Sequence, residues 1–81
     1  MTIQQFNILM EDIQHKYLLM KGECIGSRET EENCVLLFQL EGFYVEVFFD
    51  KYCDDIIYSR TFENKDELQP YLEHLNIPIA N

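Results

Sequence analysis

Basic residues are scarce in this chain: six Lys and Arg stand against 15 Asp and Glu, and the formal net charge is −9. Lys16, Lys21, Arg28, Lys51, Arg60 and Lys65 are scattered singly along the sequence. Binding a phosphate backbone needs clustered cations that release counterions, so neither nucleic acid nor an anionic membrane surface is expected as a partner. Long apolar runs are missing as well. The opening segment from Met1 to Gln5 has no basic residue, and Asn7, Glu11 and Asp12 interrupt the apolar positions that follow. That pattern fits neither a secretory signal nor a membrane span, and a cytoplasmic location is expected.

Cysteine is limited to Cys24, Cys34 and Cys53. An odd number cannot pair completely within the chain, and no Cys-x-x-Cys occurs, so reduced thiols are expected. Structural zinc needs about four ligands, and neither His15 nor His74 lies at a ligand-like spacing from a cysteine. No metal and no cofactor is expected. Both histidines read as surface residues.

What the chain does have is apolar bulk: 47% of its residues are hydrophobic, including six Phe and five Tyr. That is too much for a disordered chain. Eighty-one residues make one domain, residues 1–81, close to the lower size at which a single core holds without staples.

Ile3, Phe6, Met10, Ile13, Tyr17 and Met20 recur at steps of three and four, the spacing of one stripe on a helix that runs to about Lys21. Thr2 followed by Gln5 predicts a capping box, and Gly22 predicts a left-handed helix end. From Glu23 to Phe62 the period falls to two, with β-branched and aromatic residues between turn signals. Four strands are expected: Glu23 to Thr30, Cys34 to Leu40, Phe43 to Tyr52 and Ile56 to Phe62. Glu41-Gly42 predicts a two-residue hairpin loop with glycine at positive φ. That loop sets Leu40 opposite Phe43, Phe38 opposite Val45, Leu36 opposite Val47 and Cys34 opposite Phe49, an apolar face.

The register of the fourth strand depends on the turn at Cys53. Pairing Tyr52 with Asp55 puts Tyr58, Arg60 and Phe62 on the apolar face, whereas a slip of one residue puts Ile57, Ser59 and Thr61 there. The first register is favoured by its richer apolar set. Asn64 followed by Glu67 predicts a second helix from Lys65 to about Leu75, bent or broken at Pro70. The fold class is therefore α+β: a two-layer helix, four-stranded antiparallel meander, helix arrangement (αββββα) in which both helices cover the one apolar face.

Glu23-Cys24-Ile25-Gly26-Ser27-Arg28 and Glu41-Gly42-Phe43-Tyr44-Val45-Glu46-Val47-Phe48, with the Leu68 to Leu75 segment, resemble a small family of uncharacterised bacterial proteins. No activity is assigned to that family, so the resemblance implies no site. In shape alone, an acidic helix–meander–helix chain is similar to dimeric secretion chaperones, which bind extended segments of their effectors; this chain lacks their usual length and further elements.

The sequence offers no catalytic constellation. Glu46 and Asp50 lie four residues apart on an extended strand, roughly 13 Å, too far for a glycosidase carboxyl pair. Asp50, Asp54 and Asp55 lack the glycine and glutamate of a calcium loop. Cys53 sits beside acids that raise its pKa. The reverse sheet face carries Val35, Leu37, Tyr44, Phe48 and Tyr52, a patch of the kind that marks an interface. Arg28 and Arg60 lie among apolar neighbours, fit to pair with Glu29, Glu46 or an external carboxylate. Burial of about ten large side chains at roughly 1.5–3 kcal/mol each is opposed by a conformational entropy of similar or larger size, which leaves a lone chain marginal.

The function expected is a non-enzymatic protein-interaction domain, homodimeric through that second face or a sheet edge. One alternative is an acidic inhibitor or immunity-type protein that blocks a basic partner. The other is a small enzyme with a pocket assembled at a dimer interface from Arg28, Arg60 and Cys53.

Overall fold

A computed structural model describes residues 1–53 and 55–71. The chain is an α+β fold: a four-stranded antiparallel sheet in the order β1-β2-β3-β4 with short helices on either side. The helices are α1 (Ile3–Asn7) and α2 (Glu11–Lys21), followed by β1 (Glu23–Glu29), β2 (Asn33–Leu40), β3 (Phe43–Asp50) and β4 (Ile56–Phe62). A 3₁₀ helix, η1, spans Lys65–Tyr71. The expected continuation to Leu75, and His74 with it, lies outside the described residues.

The single N-terminal helix of the sequence reading is in fact two. Thr2 and Gln5 form the reciprocal capping box as expected, but α1 stops after Asn7. The chain then turns through Ile8, Leu9 and Met10 before α2 begins. This break resets the helical phase. Phe6 is fully buried, while Met10, Ile13 and Met20 of the predicted stripe are exposed, and α2 turns Leu18 and Gln14 inward instead. Gln14 is a polar residue in the core because its amide nitrogen donates to the Phe6 carbonyl at 2.9 Å. It thereby adds a second donor to a helix-end acceptor that also receives the Leu9 N–H at 3.1 Å.

Gly22 ends α2 in extended rather than left-handed backbone, at φ −82° and ψ 155°. Glycine is needed there for a different reason: a Cβ would meet the Leu18 carbonyl oxygen at 2.7 Å. Gly42, in contrast, has φ +84°, the turn geometry expected of the Glu41-Gly42 loop.

The hairpin register follows from that loop. Leu40 pairs with Phe43, Phe38 with Val45, Leu36 with Val47 and Cys34 with Phe49. On this helix-side face Leu40, Phe43, Val45 and Val47 close around Phe6 and Leu18, with Phe38, Phe49 and Tyr17 at the margin. The fourth strand takes the register the sequence reading set aside. Thr61 pairs with Val45, Ser59 with Val47 and Arg60 with Glu46, and an irregularity falls between Phe48 and Phe49. Tyr58, Arg60 and Phe62 therefore lie on the reverse face.

That reverse face is covered by the chain itself. Leu37, Tyr44 and Phe62 pack with Tyr71, supported by Ile25 and Leu68. The two helical segments thus cover opposite sides of the sheet, not the same side. The sheet is hydrophobic on both faces, and each face recruits its own cover.

Candidate functional site

Two features of the fold could carry function: a charged cluster under η1 and an apolar groove beside α2.

The cluster is centred on Glu46, in the middle of the central strand β3, with only 1% of its surface exposed. An acid there requires compensation, since an unpaired buried charge is strongly destabilising. Compensation comes from both neighbouring directions. Arg60 on β4 is directly opposite Glu46, and its Nε donates to Oε1 at 2.9 Å while its NH2 approaches the same oxygen at 2.8 Å. Arg28 lies on the other edge strand, β1. It reaches across β2 to Oε2, with its NH2 at 3.2 Å and its Nε at 3.4 Å. The Tyr71 hydroxyl donates to the same Oε2.

Arg60 also meets Glu67 of η1 at 2.7 Å, so two arginines face two carboxylates and the cluster is electrically balanced. Aromatic rings frame it. The Arg28 guanidinium lies 5.6 Å from the ring centres of Phe48 and Tyr71, and that of Arg60 lies 5.0 Å from Phe62, within cation–π range.

These contacts shift the protonation of the partners. Burial alone would lower the Arg28 guanidinium, but its interactions with Tyr71 and Glu46 outweigh that and raise it. Arg60 is raised first by its bond to Glu67, against a smaller opposing effect of burial, and further by Glu46. The Tyr71 phenol is pushed well above its ordinary value by burial and by the adjacent Glu46 carboxylate, more than Arg28 pulls it down. Every charged group in the cluster finds its partner inside the chain. Among the described residues no buried side-chain polar atom is left without a hydrogen bond. The arrangement is that of a structural brace.

Arg28 and Arg60, expected to pair with Glu29, Glu46 or an external carboxylate, are thus brought together on Glu46. Cys53 does not join them. It is exposed in the turn after β3, and Arg60 lies four residues into β4, roughly 13 Å along the strand. A backbone hydrogen bond at Asp55 lowers the Cys53 thiol, but slight desolvation and the carboxylates of Asp50 and Asp55 raise it further, for a net upward shift. That is the wrong direction for a thiolate nucleophile.

No known protein family, curated protein or solved structure matches this chain.

The second feature is a groove of about 240 Å³ on the helix side, where α2 leaves the end of the sheet uncovered. Leu19 and His15 form one wall, Phe38, Val47 and Phe49 the floor, and Ile56 of β4 the far rim. His15, expected as a bland surface residue, stands at its edge. Beside the groove lies exposed apolar surface: Leu19 is 81% exposed and Met20 77% exposed on α2, and Ile57 is exposed on β4. The sequence reading missed this surface because it placed Met20 and Ile13 in the core. The signal available was Leu18-Leu19-Met20, three consecutive apolar residues that one face of a helix cannot bury together.

Of the residues expected at an interface, Val35, Leu37, Tyr44 and Phe48 are buried within the chain. Phe48 stacks on Tyr58 at 4.3 Å and Tyr44 on Phe62 at 5.3 Å. Tyr52, the fifth, lies beyond the end of β3 and is 86% exposed. Among the described residues, no helix is long and apolar enough to cross a membrane.

Proposed function

We propose that this chain is a non-enzymatic protein-interaction domain that works through the apolar groove beside α2 and the adjoining surface of β4. The observation that carries the reading is the contrast between the two sides of the sheet. Among the described residues, the reverse side places its charged groups in mutual bonds and two pairs of its aromatic rings in stacks, and none of these groups is turned toward a substrate. The helix side keeps Leu19, Met20, Ile56 and Ile57 in water next to an open apolar groove. Clustered large apolar side chains on a small acidic domain mark a surface that meets another protein. Mixed polar and apolar lining with converging titratable groups, the usual look of a small-molecule catalytic pocket, is absent from this groove, where His15 is the one titratable residue in the lining.

The test is site-specific photocrosslinking in cells. A benzophenone side chain placed at Leu19 is expected to give discrete crosslinked products. The same group at Glu41, in the exposed β2–β3 loop at the other end of the hairpin, is expected to give none. Identical patterns from the two positions would refute the reading.

A further inference from the structure

We draw no further inference here: the strongest candidate, the apolar groove between α2 and the Ile56 end of β4 with the exposed Leu19 and Met20 beside it, belongs to the site already described, and nothing in the structure shows what covers it.

Discussion

Tyr71 of η1 donates its hydroxyl to Glu46 in the centre of β3, 25 residues earlier in the chain. This one bond ties the last described element to the middle of the sheet. It also supplies the carboxylate with a donor from above while Arg28 and Arg60 supply donors from the sides. The reverse face is closed by the chain itself on the strength of that convergence.

Removing the carboxylate leaves two arginines facing each other beneath η1. Glu46→Ala is expected to destabilise the fold by roughly 3 kcal/mol, the lower end of the range for breaking a buried pair, because Arg28 and Arg60 keep partial access to water. Urea denaturation monitored by circular dichroism measures it. A loss below 1 kcal/mol would show that the brace contributes little.

Tyr71 gives the protein a specific alkaline sensitivity. Its phenol titrates higher in the folded chain than the ordinary value of 10.0, through burial and the Glu46 contact. The folded state therefore keeps a proton that the unfolded state releases. The stability this supplies is complete below about pH 10 and declines as pH rises beyond it. Tyr71→Phe should cost roughly 1.5 kcal/mol at neutral pH, the value of a hydrogen bond to a charged acceptor, and should flatten the decline between pH 10 and 11. Chemical denaturation at a series of pH values reads both effects, and an unchanged alkaline slope in the variant contradicts the assignment.

Gln14 predicts its own test. Its side-chain amide donates to the Phe6 carbonyl inside the core, so Gln14→Leu keeps the bulk but removes one of that carbonyl's donors and leaves it the Leu9 N–H. We expect a loss of roughly 1 kcal/mol, the net contribution of one hydrogen bond. A leucine variant as stable as wild type would mean that the Leu9 N–H alone satisfies the carbonyl.

Gly22 is constrained by space rather than by torsion. Because the atom a Cβ would meet is the Leu18 backbone oxygen at 2.7 Å, the clash cannot be relieved by a side-chain rotation. Gly22→Ala is expected to destabilise by about 1–3 kcal/mol, as for other overpacked sites. Thermal melts decide it; at a site of positive φ the same substitution would be costly for a different reason, and Gly42→Ala, at φ +84°, is the matching control.

The legible parts of this fold were those governed by neighbours in sequence. The β2–β3 pairing follows from a two-residue loop, because loop length and a glycine at positive φ leave one register open. The capping box at Thr2 and Gln5 is likewise a matter of four consecutive residues. The register of β4 was not fixed in this way. It passes through a longer turn and an irregularity at Phe48 and Phe49, and the apolar count alone favoured the wrong face. The cue that decides it is electrostatic: Glu46 is the one acid in the interior of β3, and only the observed register sets Arg60 directly opposite, a favourable cross-strand pair. The groove was hidden for a related reason. A continuous heptad through residues 3–20 places Met20 inward, and only the break at Ile8–Met10 turns it out.

Composition and period by themselves determined a small acidic chain with a four-strand meander between helical segments, because side-chain alternation, turn glycines and caps act over a few residues. Which face each helix covers, where Arg28 and Arg60 end up, and which apolar residues remain in water were decided only by tertiary structure. Those outcomes depend on a buried carboxylate finding donors from three separate elements and on where a helix breaks, and both are set by contacts between residues distant along the chain.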